Sequence, residues 1–336
     1  MTKFLIRRSL LTLLMLFGLL TITFFISRIS PGDPAALAAG PDASAEMIDK
    51  IRKEYGLDRP IIEQYLIYVK KVLQGDWGKS IHSTHEVLID LVEYFPATFE
   101  LVLVSMSFAI VLGVPMGITA AIYQNRFIDH FIRIISVSGV AMPMFCLGLL
   151  LQYFVALQLN LFPLGGQLKM MTDPPESVTH LILLDSLIEG NLEVFIEALH
   201  HICLPALSLS FPALASIIRV NRSEMLETLK QDYIVTARAY SISLFRTVAI
   251  YALRNAMLPT LAMIGLRFGW MLGGTVLIES VFDWPGIGLY AVDSAINSDF
   301  EPIIGTTIVL GFMFMIINLI IDLVYSYLDP RVRDQI

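Results

Sequence analysis

The sequence predicts an all-α integral membrane protein with six transmembrane helices and both termini in the cytoplasm. Composition is the first reason: 56% of the 336 residues are hydrophobic and only 16% charged, whereas soluble domains carry about a quarter charged residues. The second is a set of apolar runs long enough to cross a bilayer, at about 10–26, 98–122, 132–157, 203–221, 257–280 and 303–327. The third is charge sorting. Lys3, Arg7, Arg8, Arg126, Arg133, Arg219, Arg222, Lys230, Arg238, Arg246, Arg254, Arg331 and Arg333 all fall on one side if the N-terminus is inside. The two later outer loops, 158–202 and 281–302, hold Lys169 against Asp173, Glu176, Asp185, Glu189, Glu193, Glu197, Asp283, Asp293, Asp299 and Glu301.

The chain is divided accordingly into an inner N-terminus with the first span (1–29), an outer helical segment (30–97), a membrane core (98–330) and an inner tail (331–336). The apolar run after Arg8 is longer than a signal-peptide core and no A-x-A site follows, so it is read as an uncleaved first span. Pro31-Gly32-Asp33-Pro34 breaks it, because each proline disfavours helix at the residue before. Residues 44–55, 60–73 and 85–95 read as short outer helices; in the second, Ile61, Ile62, Tyr65, Leu66, Val69, Val72 and Leu73 form an apolar stripe.

The second span carries Gly113, Pro115 and Gly117, a smooth strip for close helix packing or a hinge. Pro143, Pro205 and Pro212 are expected to interrupt the third and fourth spans. The connection 222–256 that follows is basic. In its segment 231–259, Ile234 and Ala237, then Ile242, Phe245, Val248, Ala249 and Ala252 recur at helical steps. Such a hairpin lies flat on anionic lipid or docks a cytoplasmic protein.

In the fifth span Gly265, Gly269 and Gly273 recur every fourth residue beside Gly274, a face suited to a second, similar subunit. Arg267 sits about 15 Å along that helix. A charge at such depth marks a pathway or gate, or pairs with an acid such as Asp322. Glu279-Ser-Val-Phe282-Asp-Trp284-Pro285-Gly286-Ile-Gly288 is a helix stopped by Pro and Gly, with aromatic residues at the outer interface. In the last span Asn318 and Asp322 lie one turn apart on one face, as lining or inter-subunit positions.

Several chemistries find no support. There is no GxxxxGK[ST] loop, so an ATP-driven process needs another chain to hold the nucleotide. Cys146 and Cys203 lie inside apolar runs and read as small buried hydrophobes. The six histidines lack ligand spacing, and His200 and His201 splay apart on a helix. No metal site is expected.

The string Asp232-Tyr233-x-x-Thr236-Ala237-Arg238-Ala239, with Ala252-Leu253-Arg254-Asn255-Ala256-Met257-Leu258-Pro259 after it, resembles the coupling loop of ABC-importer permeases of the dipeptide/oligopeptide/nickel branch. Gly56-Leu57-Asp58-x-Pro60, Gly75-Asp76-Trp77-Gly78, Phe95-Pro96-Ala97-Thr98 and the 279–289 string extend the likeness over almost the whole chain. The family's usual Lys-Gly after the alanine is here Tyr240-Ser241. The resemblance implies that Asp232, Tyr233, Thr236, Ala237, Arg238, Ala239 and Ser241 couple to an ATPase. It implies that Phe282, Trp284, Pro285, Gly286 and Gly288 meet a solute-binding protein.

Arg267, Gly269, Gly273, Asn318 and Asp322 remain the candidate pathway residues. The implied partners are a second homologous permease, two ATP-binding-cassette ATPases, a periplasmic or lipid-anchored solute-binding protein and membrane lipid, with no nucleic acid. The implied location is the bacterial cytoplasmic (inner) membrane. This chain would bind no cofactor, ATP and Mg belonging to the ATPases. Di- or oligopeptides are the expected cargo. The alternatives are nickel or another metal chelate, an ion-driven secondary transporter using Asp322 or Arg267, and a membrane scaffold without transport.

Overall fold

The protein is described by a computed structural model covering residues 2–29, 35–36, 43–54, 56–297 and 299–328. For residues 2–9, 27–29, 51, 54, 322 and 324–328 only the backbone is described. The break at Pro31–Pro34, the tail 331–336 and the side chain of Asp322 therefore lie outside the described residues. Every regular element among the described residues is a helix; the one extended pairing is an isolated bridge between Lys79 and Glu86.

In chain order these are α1 (Thr2–Ile29), α2 (Ala45–Glu54), α3 (Ile61–Leu73), α4 (Val87–Ile122), α5 (Phe127–Ala141) and α6 (Met144–Leu151, running into a π-helical turn at Gln152–Gln158). Then come α7 (Ile182–Glu189), α8 (Leu192–Thr228), α9 (Asp232–Ala239), α10 (Leu244–Phe282), α11 (Ile287–Ile296) and α12 (Phe300–Leu328). Four of them, α4, α8, α10 and α12, are long and apolar enough to cross a membrane. The bent pair α5–α6 makes up to five, and Leu10–Ile26 is a shorter apolar helix. The multi-pass, all-helical class follows directly.

Two local expectations change. The outer helix foreseen at 85–95 is the first quarter of α4, which runs unbroken through Pro96. One proline removes a single N–H from the ladder, and a long helix tolerates that where neighbours hold it. The prolines of α8 likewise leave the helix continuous. Its apolar window is 78% buried, against 28–39% for α4, α10 and α12, so packing on all sides maintains it. Ser216 Oγ donates to the Pro212 carbonyl at 2.9 Å, taking up an acceptor on that turn.

Pro143 does break the chain. Met142 is held extended at φ −90°, ψ 124°, as a residue before proline prefers, and α5 and α6 meet at 108°.

The chain forms two compact units, residues 1–97 with 285–313, and residues 98–284 with 314–336. In the first, the stripe foreseen on α3 lands on α1 and α12: Tyr65, Tyr68, Val69 and Val72 pack with Leu20, Phe24 and Ile304. Thr21 Oγ1 and Tyr65 Oη lie 2.6 Å apart. In the second unit α8 is the hub, packed against α5, α6, α7 and α10. Gly113 and Gly117 of α4 take the packing role: a Cβ on Gly113 would stand 3.0 Å from Ile217 Cγ2, and one on Gly117 2.8 Å from Asn221 Oδ1.

Candidate functional site

The hairpin 231–259 is two antiparallel pieces, α9 and the start of α10, joined at Tyr240–Ser243. Residues three and four apart share a helix face, and Ile234 and Ala237 of α9 point inward. They join Val248, Ala252, Ala256, Met225 and Ala121 in one buried cluster. Each large side chain in such a cluster contributes about 1.5–3 kcal/mol, enough to fix the hairpin against α4 and α8.

The turn closes α9 with a Schellman motif. Ile242 N–H donates to Ala237 O at 3.2 Å and Ser241 N–H to Arg238 O at 2.9 Å. This motif needs a left-handed residue after the cap, and Ser241 supplies it with φ +56°. Farther along, Asn255 Nδ2 donates to Tyr233 Oη at 2.6 Å, clasping the two arms. A six-residue π-helical stretch, Thr247–Ala252, carries the second arm into α10. Such stretches often mark functional places in helices.

Seen from solvent, the hairpin divides the residues the sequence singled out. Asp232, Tyr233, Thr236, Arg238, Ala239 and Ser241 are exposed, whereas Ala237 is 6% exposed and belongs to the packing underneath. The outward face also presents side chains that periodicity assigned to the buried stripe or passed over. Phe245 is 84% exposed, Tyr240 79%, and Val235 and Leu244 57% each. An exposed aromatic beside basic residues was the available signal. A helical-step count misses it because the turn rotates the second arm.

Beneath the hairpin two polar ties join the helices. Asp129 of α5, fully buried, accepts from both Nε and Nη2 of Arg222 on α8 at 2.7 Å, and from Asn125 N–H at 2.9 Å. Asn221 Nδ2 donates to Thr260 Oγ1 of α10 at 3.2 Å in a fully buried junction.

The pathway candidates separate. Arg267 is half-buried, its Nε buried and without a hydrogen-bond partner among the described residues. Gly265 and Gly269 are covered by this chain's own last helix, by Ile321 and Phe314 respectively, while Gly273 faces open space. The glycine face is thus mostly spent inside the chain. Asn318 Nδ2 donates back to Phe314 O at 2.9 Å, so Phe314 links Gly269 and Asn318. The Asp322 side chain is outside the described residues.

At the end of α10, Phe282 and Trp284 are 1% exposed each and Asp283 adopts the left-handed conformation, φ +48°. Trp284 N–H donates to Glu279 O at 2.9 Å, closing the helix as the Pro-Gly signal foretold. The loop 161–166 clasps this end. Gly166 N–H donates to Phe282 O at 2.9 Å, Gln152 Nε2 to Val281 O at 2.9 Å, and a Cβ on Gly165 would overlap the Phe282 carbonyl. His200 and His201, splayed as expected, hold the carbonyls of Leu161 and of Gly165 and Gly166. In the other unit Pro285 is half-buried and Gly286 and Gly288 are buried, at the start of α11.

That unit also contains a polar knot that the sequence did not single out. Asp299 accepts from Ser80 Oγ and Ile81 N–H at 2.7 Å and from His82 N–H at 3.1 Å. Asp90 accepts from Ser83 Oγ at 2.6 Å and from the Tyr290 hydroxyl at 2.9 Å. Burial, then the hydrogen bond to Asp90, pushes the Tyr290 phenol well above its ordinary range.

Residues 113–334 match the family described as "Binding-protein-dependent transport system inner membrane component", and residues 1–102 its N-terminal companion family. Among curated proteins, the probable D,D-dipeptide transport system permease protein DdpB of Escherichia coli (strain K12) is 44% identical over 315 residues, 94% of this chain and 93% of that protein. The dipeptide transport system permease protein DppB of the same strain is 37% identical over 336 residues, 99% of each chain. The glutathione transport system permease protein GsiC of that strain is 33% identical over 333 residues, again 99% of each.

Proposed function

This chain belongs to the family of inner membrane components of binding-protein-dependent transport systems, and from that premise we propose that it is the peptide-conducting permease subunit of an ATP-driven importer. The observation that carries the reading is the end-to-end match to permeases named for dipeptide, D,D-dipeptide and glutathione transport. The chain crosses the inner membrane six times, with Leu10–Ile26 as the first span, α5–α6 as one broken span and both termini in the cytoplasm. A second, related permease completes the path. Two ATPases sit below and a solute-binding protein above.

In this reading the hairpin is the mechanical input. Its outward side chains, Tyr240, Phe245, Val235 and Leu244 with Tyr233 and Arg238, seat in a cleft on the ATPase. Aromatic residues ringed by polar ones are the usual anchors of such contacts. ATP-driven closure draws the two hairpins together. The buried cluster beneath, the Asn221–Thr260 junction and the Arg222–Asp129 pair then pass the displacement to α4, α5, α8 and α10. The binding protein releases peptide into the outward-facing path. Reopening after hydrolysis lets it leave inward, with Arg267 and Gly273 facing the path. This chain makes and breaks no covalent bond and holds no nucleotide.

The deciding experiment is reconstitution of the permease pair with its ATPases and binding protein in vesicles. ATP-dependent, protonophore-insensitive uptake of a labelled dipeptide is expected. Uptake by this polypeptide alone, or uptake that follows a proton gradient without ATP, would overturn the reading.

A further inference from the structure

α3 carries more apolar surface than its packing on α1 and α12 covers. The covered stripe is Tyr65, Tyr68, Val69 and Val72. Beside it Ile62, Leu66 and Leu73 share a second stripe, since residues four and seven apart stand over one another on a helix. These three are 67%, 62% and 83% exposed. Glu63, Lys70 and Lys71 follow on the next side, all exposed. Around its axis α3 therefore presents a covered apolar flank, an open apolar face and a polar face.

The covered flank fixes the height of the helix. The Tyr65 ring lies 6.5 Å from that of Phe17 and 5.6 Å from that of Phe25 on α1, and its hydroxyl is 2.6 Å from Thr21 Oγ1. The apolar run of α1 ends at Ile26, before Ser27 and Arg28, so Thr21 lies about 7–8 Å inside that end. α12, long and apolar enough to cross a membrane, gives the same depth independently. Its Ile304 and Ile308 pack in the cluster of Tyr68 and Phe24. The apolar run of α12 opens at Ile303, after Asp299 and Glu301, so Ile308 is again about 7–8 Å inside. Half of the hydrocarbon core is about 15 Å thick. Both spans thus place the contacts of α3 within one leaflet and not above it.

Below α3 the same surface continues uncovered. Leu13, Phe17, Leu20 and Phe24 share one face of α1. Leu20 and Phe24 are buried in the cluster with α3, whereas Leu13 and Phe17, farther from the outer end, are 63% and 53% exposed. The open stripe of α3 borders this apolar surface, which acyl chains fill.

We propose that α3 is a lipid-binding helix seated in the outer leaflet. Ile62, Leu66 and Leu73 lie on phospholipid acyl chains, and Glu63, Lys70 and Lys71 stay at the headgroups, as the polar side of an interfacial helix does. Part of the outer segment is then held in the membrane instead of standing above it. The proposal rests on α1 and α12 being spans whose ends at Ile26 and Ile303 face outward, and it is formed within one compact unit.

The test uses the full-length chain assembled with its permease partner, ATPases and binding protein in phosphatidylcholine vesicles. Single spin labels are placed at positions 62, 63, 66, 71 and 73 after Cys146→Ala and Cys203→Ala, and their collisions with oxygen and with a water-soluble nickel chelate are measured. Labels at 62, 66 and 73 are expected to read about 5–10 Å below the headgroup boundary, and those at 63 and 71 to read water or headgroup. In the chain that keeps its cysteines, the fluorescence added by Leu66→Trp should be quenched by lipid brominated on its acyl chains and spared by iodide in the buffer. Chelate reaching 62, 66 and 73 as readily as 63 would place the face in water and overturn the proposal. Shielding of the three from both oxygen and chelate would give the face to another protein chain and also overturn it. These labels read position and not transport, so either result leaves the importer reading standing. Failed uptake with the labels at the expected depth would strike the importer reading alone.

Discussion

Ser241 carries the left-handed turn of the hairpin with a side chain where the family's usual residue is glycine. A Cβ in that conformation costs about 1 kcal/mol, so Ser241→Gly should raise thermal stability by up to about that amount. A lowered melting temperature of the purified chain would show that the hydroxyl is needed more than the backbone is eased. Ala237 teaches the opposite lesson. An Asp placed there is buried among Ile234, Val248 and Ala252, and a carboxylate moved from water into such apolar surroundings costs several kcal/mol. Ala237→Asp therefore unfolds the hairpin as well as abolishing transport, and reports on docking only indirectly. The exposed pair Phe245→Ser with Tyr240→Ser isolates docking: normal melting and membrane level, but loss of ATPase co-purification. Retained co-purification would remove the docking face from the account. Asp129→Asn breaks a buried bidentate pair and should cost about 3–5 kcal/mol, read as earlier melting and faster proteolysis where the start of α5 meets the end of α8.

At the scale of elements, prolines act according to their surroundings. Pro143 stands between two helices that meet at 108°, whereas Pro205 and Pro212 leave α8 unbroken through the core. If the proline sets the break, Pro143→Ala should open it, lengthening the distance between spin labels at the exposed positions 131 and 153. An unchanged distance would assign the break to packing, such as Gly139 against Phe211 O and Ala215 of α8. The loop leading into α7 depends on a carboxylate instead. Burial works against ionisation of Asp185. The hydrogen bonds from Thr179 Oγ1 and Thr179 N–H, then that from Val178 N–H, outweigh it and hold the carboxyl below its ordinary range. A depressed folded pKa stabilises above the unfolded value of about 3.9 and is lost as pH falls through the folded value. The protection factors of the amides of residues 178 and 179, measured against their intrinsic exchange, should therefore drop as pH falls below about 4. Unchanged protection at pH 3 would contradict this.

For the molecule as a whole, the class was legible from residue chemistry alone. A chain this apolar, with cations sorted to alternate connections, has few solutions other than a helical bundle in lipid, because only helices and closed barrels satisfy their own backbone there. Periodicity likewise placed α3 and the inward face of α9. What it could not place depends on neighbours remote in sequence. The closing of Gly265 and Gly269 by Ile321 and Phe314, the pairing of Arg222 with Asp129, and the knot at Asp299 all join residues tens to hundreds of positions apart. So the sequence by itself determined the environment of the chain, its helices and the position of the basic hairpin, since these follow from local hydropathy and charge. Only the tertiary structure decided which face of that hairpin is free, which prolines bend a helix and which glycines stay open. Those outcomes are set by what packs on the other side, and no stretch of chain encodes its own neighbour.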